Sequence, residues 1–513
     1  MHVPLRWGNK LISLCNSYRH ADEEIKARSL RLEAGWLKTE RQLDFMKQIS
    51  AEMDDYHRSI NLRTTEQLHS NLRIAWDKIN DVSEMREEDE AGMFRHFRRK
   101  SLRWKYALFK EGIDAAIEEL DRWHATADPS WYLLLRISNA KIDQALIRHD
   151  NDSTIVFTSA RRVRDVRKNQ AKAGVFLPAK DLESMVIYEK PLCTAKMAQR
   201  MSTGRGPQNM ILTTLECPTG ARVDLVAKEV RELASKLAVD DPNSAKTFGL
   251  LPCKGVVRKV TYHPNDPPST SFTMVFRSPD NQSEMSSLRS KLLSRDASVT
   301  LGDRFVFARQ LATSIAYIHT LGFVHKSVRP ENILIFEATS ATPTATAYLA
   351  GFDNFRKEEG RTYRQGLFEW EKNMYQHPSR QGLSPRQDYV MQHDIYSLGV
   401  CLLEIGLWDS FVCYDSEGRN PVTSSLLSPF ARDCQAGRAN ISASKDYLVR
   451  LCRDRLPRHM GRKYYEVVVT CLTCLDPDNV DFGDEREFMD NDGILVGVRY
   501  IEKVLSRLNE ISI

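Results

Sequence analysis

The sequence predicts a multidomain protein. An all-α N-terminal helical bundle is expected over residues 1–150 and a basic linker over 151–180. An α+β region in two lobes is expected to follow, the first over 181–278 and the second over 279–513. Three observations carry that division. Apolar residues in the first third recur at helical spacing, with Pro4 the only proline before Thr126. Between Leu301 and Ala350 the pattern changes from helical spacing to short apolar runs parted by turn residues. Between these parts, Asp150 to Ser153 is polar, a basic run follows, and Gly174 and Pro178 punctuate it as they would an exposed boundary.

In the first part, Ile25, Leu32, Trp36, Leu43 and Met46 step by seven, four, seven and three residues along a charged background, an amphipathic helix. Leu68, Leu72, Ala75, Trp76 and Ile79 repeat the stripe, and Leu102 to Leu120 and Ile137 to Leu146 carry weaker ones. Four or five such helices bury their stripes most economically against one another as a bundle. Phe94 to Tyr106 interleaves Arg95, Arg98, Arg99, Lys100, Arg103 and Lys105 with Phe94, Phe97, Trp104 and Tyr106. The plain reading is a solvated basic helix whose aromatics pack inward. The same chemistry would suit an anionic membrane surface, where cations meet lipid phosphates and rings favour the interface. A second basic run, Arg161, Arg162, Arg164, Arg167, Lys168 and Lys172, reads as linker or as a helix touching both parts.

Composition bounds the partners. The chain has 513 residues, 42% of them hydrophobic, with a net charge of +5. That balance is globular and too mild to imply nucleic acid. No apolar stretch approaches the ~18–20 residues that cross a bilayer, and a signal-peptide core is not expected at the N-terminus. The ten cysteines are scattered except for Cys471 and Cys474, which sit in the apolar run Val467 to Leu475 and read as core packing rather than a metal or redox pair. A reducing compartment, the cytosol, is expected, with a peripheral membrane location as the alternative.

The second part opens its informative stretch at Leu301 to His319, where Phe305, Ala308, Ala312, Ile315 and Ile318 keep helical spacing and Gly322 supplies a stop. Phe323-Val324 leads into His325-Lys326-Ser327-Val328-Arg329-Pro330-Glu331-Asn332. Ile333 to Phe336 reads as a buried strand, Glu337 to Ala345 as a hairpin insertion, and Tyr348-Leu349-Ala350 as its return strand. Then comes Gly351-Phe352-Asp353. Downstream, Asp394-Ile395-Tyr396-Ser397-Leu398-Gly399-Val400 opens an apolar helix.

These motifs resemble the protein kinase family. The octet is similar to the catalytic loop H-R-D-L-K-P-E-N, with His325, Pro330, Glu331 and Asn332 matching outright and Lys326, Val328 and Arg329 replaced like for like. The resemblance implies that Ser327 stands where the catalytic aspartate accepts the substrate's proton, and that Asn332 stands where a magnesium ligand belongs. Gly351-Phe352-Asp353 stands where kinases carry Asp-Phe-Gly, so glycine holds the place of the second metal ligand while Phe352 keeps its own. Asp394 matches the kinase aspartate that ties down the catalytic-loop backbone. His377-Pro378-Ser379 stands for Ala-Pro-Glu, with Ser379 in place of a glutamate that normally pairs with a buried arginine.

The remaining kinase parts are thin. Val226-Ala227-Lys228 looks like the strand bearing the phosphate-pairing lysine, yet Val226, Val230, Leu233 and Leu237 recur at helical spacing behind Pro218-Thr219. The strand before it, Met210 to Leu215, has no lysine. Gly204-Arg205-Gly206 offers two glycines, but Pro207 removes an N–H donor where a phosphate loop uses them, so an ordinary loop is expected. Asp481-Phe482-Gly483 spells the metal triplet far from the loop and reads as a turn. The helical half resembles HeLo-like bundles of fungal kinase-like proteins, and the whole is similar in architecture to mixed lineage kinase domain-like protein.

The expected function is that of a catalytically impaired kinase-like signalling or scaffold protein, a pseudokinase, whose kinase-like half regulates the helical bundle. One alternative is a divergent active ATP-dependent Ser/Thr kinase that recruits Asp353 for metal and Lys326 for phosphate. A second is a membrane-acting effector of the cell-death type. ATP and magnesium binding are expected to be weak. The expected partners are a protein or the chain's own bundle, with an anionic membrane at Phe94 to Tyr106 as a further option.

Overall fold

The computed structural model describes residues 7–13, 23–53, 55–88, 95–134, 144, 146, 174–202, 205–217, 222–238, 248–262, 268–279, 284–337, 345–357, 369–382, 385, 387–415, 417, 420–435, 443–483 and 494–511. The chain divides into two compact units, Met1–Arg161 and Arg162–Ile513.

In the first unit the described helices are α1 (residues 7–13), α2 (Glu23–Gln48), α3 (Asp55–Glu88) and α4 (Arg95–Leu134). The stripe Ile25, Leu32, Trp36, Leu43 and Met46 is buried, as are Leu68, Leu72 and Ala75 of α3 and Ile113, Ala116 and Leu120 of α4. Phe45 and Trp131 meet edge to face at 4.5 Å, joining α2 to α4. Gly8 lets α1 close onto α2, since a Cβ there would lie 2.2 Å from the Trp36 ring. The α2–α4 seam also holds polar groups: Lys38 and Gln42 both bond Asp128, at 2.5 and 2.6 Å, and Thr39 bonds His124 at 3.0 Å. Burial holds His124 well below the usual imidazole range, so the Thr39 contact is to a neutral ring. The backbone of the basic-aromatic stretch from Arg95 onward is helical, but Phe94 and the side chains of that stretch lie outside the described residues, as does the basic run from Arg161 to Lys172.

The second unit begins with a six-stranded sheet in the order β1-β5-β6-β4-β3-β2. Its strands are β1 (Phe176–Leu177), β2 (Met185–Tyr188), β3 (Lys196–Ser202), β4 (Arg205–Glu216), β5 (Cys253–Thr261) and β6 (Ser269–Arg277). The short helix α5 (Lys180–Glu183) lies between β1 and β2, and α6 (Val223–Leu237) between β4 and β5. Strand β1 therefore sits within the span expected as linker. It runs parallel to β5 at the sheet's edge, and Gly255 permits the approach because a Cβ there would stand 2.7 Å from both the Val175 carbonyl oxygen and Leu177. One sheet face packs Met185, Ala198, Met210, Leu212, Val257 and Val275. Helix α6 buries Val230, Leu233, Ala234 and Leu237 and packs against β5 and β6. It starts at Val223 with Arg222 as N-cap and no side-chain cap; Pro218 and Thr219, expected to start it, lie outside the described residues.

The helical part follows with β7 (Met285–Ser287), α7 (Leu288–Ser294), α8 (Leu301–Thr320), β8 (Phe323–Val324), β9 (Ile333–Phe336), β10 (Thr346–Leu349), β11 (Arg356–Lys357), α9 (Trp370–Asn373) and α10 (Met391–Leu407). Helix α8 begins with a capping box. The Thr300 hydroxyl accepts the Asp303 N–H at 3.2 Å, and the Asp303 carboxylate accepts the Thr300 N–H at 2.9 Å, satisfying two of the helix's orphan donors. It ends at Leu321, with Gly322 at φ +80° as the left-handed stop. Strand β9 is buried along its whole length between β7 and β10, which accounts for an unbroken Ile-Leu-Ile-Phe run where a half-exposed strand would alternate. Strand β8 pairs with β11, Val324 opposite Arg356, and so lays the octet beside the segment after Gly351. Beyond α10 come the β12 (Val412–Tyr414) and β13 (Pro421–Thr423) hairpin, α11 (Ser428–Gln435), α12 (Ser444–Met460), α13 (Arg462–Leu472) and α14 (Ile494–Tyr500). Cys471 and Cys474 are buried in this core. Among the described residues no helix is long and apolar enough to cross a membrane.

Candidate functional site

The octet hangs from one buried carboxylate. Asp394, in the first turn of α10, accepts the backbone N–H groups of His325 at 2.8 Å and Lys326 at 2.9 Å, the Tyr389 hydroxyl at 2.7 Å and the His319 ring at 3.0 Å. Burial pushes its pKa up, but the bonds from His319 and Tyr389 and the nearby His325 outweigh that and hold it below the usual carboxylate value. Lys326 takes a left-handed backbone, φ +64°, directly beside this anchor. His325 Nε2 donates to the Ala350 carbonyl at 2.9 Å while its Nδ1 accepts the Ser327 N–H at 3.3 Å, which fixes a neutral tautomer. Its ring lies 5.0 Å from Phe352, and Phe352 stacks in turn on Phe276 of the sheet at 5.9 Å.

Ser327 is buried, and its hydroxyl accepts from Arg329 Nη1 at 2.6 Å. A hydroxyl already facing a guanidinium has no basicity to offer a substrate proton near neutral pH. Asn332 Nδ2 donates to the Ser327 carbonyl at 2.6 Å, and its Oδ1 accepts from the Thr194 hydroxyl. Gly351, at φ +74°, faces that side chain so closely that a Cβ would lie 2.1 Å from the Asn332 Cγ. The asparagine thus fills the space an aspartate at 351 would need. A paired magnesium site in the kinase manner does not fit these residues: one ligand position is glycine, and the other donor is spent on the protein's own groups.

The charges near the loop are met internally. Arg329 lies 3.6 Å from Asp353 and 3.8 Å from Glu331. Glu331 also takes Arg289 Nε at 3.0 Å, and Arg289, fully buried on α7, donates on to Glu404 at 3.0 Å, to Tyr375 at 2.5 Å and to Ser410. Tyr375 donates to Glu404 at 2.8 Å. Burial works against the Arg289 charge, but Tyr375, Glu404 and Glu331 raise its pKa well above the ordinary value. Lys326, by contrast, is pushed down to about 8 by burial first and by Arg356 and Arg380 next; its ammonium lies 5.8 Å from the Tyr389 ring centre.

On the sheet side, β4 carries no lysine, and Thr213 is buried there with a hydroxyl that has no partner among the described residues. Lys228 is exposed on α6, and the same helix instead sends Lys236 to the Leu321 carbonyl at 2.7 Å. Arg205, Gly206 and Pro207, expected in an ordinary loop, are the first residues of β4, while Gly204 lies outside the described residues. The loop that reaches Asn332 is Glu189–Ala195 between β2 and β3, and it has no glycine.

A model of the protein tyrosine and serine/threonine kinase family matches residues 280–408. Eukaryotic translation initiation factor 2-alpha kinase 1 of Rattus norvegicus is 33% identical over 105 residues, 19% of this chain and 16% of that relative. The chain carries a protein kinase-like domain. The family match ends within the α10 neighbourhood, and the likeness spans about a sixth of the relative's own length.

Within the kinase-like domain the structure brings His325, Ser327, Arg329, Asn332, Gly351 and Phe352 together around the Asp394 anchor. Ser379 is elsewhere: its hydroxyl lies 2.8 Å from His377 Nδ1 and 3.2 Å from His393 Nε2. Asp481 forms a turn with Phe482 and Gly483 and binds Arg507 through both oxygens, at 2.8 and 3.0 Å, an ion pair the sequence did not suggest. Thr194 and Arg289 were also missed. No local motif marks either; only the spacing of two strands either side of a short loop could have pointed to Thr194.

Proposed function

We propose that the kinase-like domain works without phosphotransfer, as a pseudokinase that binds and positions a partner in signalling. The observation that supports this best is the Asn332 side chain, which lies across Gly351 toward Ser327, so that the proton acceptor and both metal positions are lost in one packed arrangement. Losing a general base alone costs ~10²–10⁴ in rate, before the charge neutralisation of the metals is counted. The alternative of recruited residues gains little support. Asp353 is paired with Arg329, and the Lys326 ammonium lies 5.8 Å from the Tyr389 ring centre. The relative's name describes a kinase of a translation initiation factor, and a likeness over 16% of its length does not carry that substrate across. The partner we favour is the helical unit of the same chain, held in one state by binding alone.

The test is a phosphotransfer assay on the full chain with labelled ATP and magnesium. No incorporation above background is expected, and incorporation that vanishes on Asn332→Ala would overturn the reading. Calorimetric titration of residues 1–161 into residues 162–513 checks the partner: no heat at any concentration tried would remove the helical unit from that role.

A further inference from the structure

The segment Glu189–Ala195 between β2 and β3 is tied at three points, once to the residue before β7 and twice to the octet, across the space where a kinase holds its nucleotide. Lys190 lies 3.7 Å from Glu284, just before β7. The Thr194 N–H donates to the Glu331 carbonyl at 3.3 Å, and the Thr194 hydroxyl donates to Asn332 Oδ1. The last bond is directional. Because Asn332 Nδ2 is spent on the Ser327 carbonyl at 2.6 Å, its oxygen is the end left to accept from Thr194.

Two further features show that the segment is held and not merely resting. Leu192 has φ +55°, a left-handed backbone that strains a leucine and that it keeps only where the surroundings fix it. Ala195 is fully buried, and burial pushes the half-buried Cys193 thiol up to about 11. A loop that simply spanned two strands through solvent would show neither.

We propose that Glu189–Ala195 is a clasp that shuts the cleft by standing in for the phosphates of a magnesium–nucleotide, with Thr194 as the latch on Asn332. Gly351 is a condition of the latch, since a Cβ there would strike the Asn332 side chain and turn its oxygen away from Thr194. A nucleotide entering the cleft would have to break the Thr194 bonds before gaining any of its own, so the clasp acts as a tethered competitor at high effective concentration. The clasp itself stands on geometry; only the identity of the displaced ligand rests on the non-catalytic reading of the site.

The experiment uses the full chain as wild type, Thr194→Val and, as a control on the sheet, Thr214→Val. Hydrogen exchange of the amides of residues 189–195 and iodoacetamide alkylation of Cys193, both resolved by mass spectrometry, report opening. Thr194→Val removes the hydroxyl and keeps the shape, so opening should become roughly tenfold more frequent, the factor expected for losing one net hydrogen bond. Thr214→Val, which loses only an exposed contact to Thr273, should match the wild type. Equal exchange and alkylation in all three proteins would overturn the clasp. Adding magnesium–ATP separates the two readings. An unchanged wild-type loop together with a Thr194→Val loop that ATP opens further supports the displaced-ligand assignment; ATP that changes neither loop, while Thr194→Val still opens faster than wild type, keeps the clasp and refutes a nucleotide as the ligand it displaces.

Discussion

Acid should loosen the kinase-like domain through two histidines that replace a salt bridge. Val390 N–H donates to His393 Nδ1 at 2.9 Å, which leaves His393 Nε2–H to donate to the Ser379 hydroxyl at 3.2 Å. Ser379 Oγ–H then donates to His377 Nδ1 at 2.8 Å, so both rings must be neutral for the relay to exist. Burial lowers His377 to about 4, with Lys445 adding, and burial followed by His377 and Arg380 lowers His393 to about 3. In the unfolded chain both would titrate near 6.5. Above that pH neither state takes up protons here and the contribution is complete. As pH falls from 6.5 toward 4 the unfolded chain binds protons that the fold refuses, so stability is lost on acidification. Each ring contributes a slope of about 1.4 kcal/mol per pH unit in that window. The pair together comes to roughly 6 kcal/mol by pH 4. The assay is hydrogen exchange of the α10 amides in the full chain between pH 6.5 and 5, normalised to intrinsic rates, for wild type and His377→Gln. The variant should lose protection less steeply, by about 1.4 kcal/mol per unit. Parallel slopes in the two proteins would refute the relay.

Two further outcomes follow from the buried charges. Asp394→Ala leaves the His325 and Lys326 N–H groups and the Tyr389 hydroxyl without an acceptor and should cost about 3 kcal/mol or more in urea denaturation at an unchanged m-value; a loss below about 1 kcal/mol would deny the anchor its role. Arg289→Met strands Glu404 in a fully buried site beside Glu331, so a loss of roughly 3–5 kcal/mol is expected, and Arg289→Lys should recover little because an ammonium cannot reproduce the fork; full recovery by lysine would show that charge alone suffices.

What was legible in the sequence was local. The α8 helix, its Gly322 stop, the buried β9 strand and the α10 start each carry their signal within a few residues, as a cap, an unbroken apolar run or a short motif. The absence of an aspartate at 327 and 351 could be read directly. That Asn332 fills the vacated space could not, because the fact belongs to the distance between two side chains. The Thr194 latch joins residues 138 positions apart, and the Arg289–Ser410 bond joins residues 121 apart. Neither partner has a neighbour in sequence that would mark it. The sheet was hard to read for a related reason. Strand β4 begins at Arg205, within a stretch whose glycines and proline argued for a loop, and β1 is only Phe176–Leu177, too short for any periodicity.

The charge pattern explains why these losses go together. In a working phosphotransfer site, carboxylates converge and are made tolerable by metal ions that arrive with the nucleotide. Here Asp353, beside the octet, and Glu331, within it, are met by Arg329, and Glu331 by Arg289 as well. A guanidinium tethered in the chain neutralises them without any ligand. Once that is so, an aspartate at 351 has no ion to share and would sit against the neutral Asn332 side chain without a counter-charge. Glycine at 351 therefore suits the place that the Asn332 side chain occupies. Gly351 also leaves room for Asn332 to accept from Thr194, so under the proposed reading the missing aspartate at 351 and the seated loop belong to one packing arrangement.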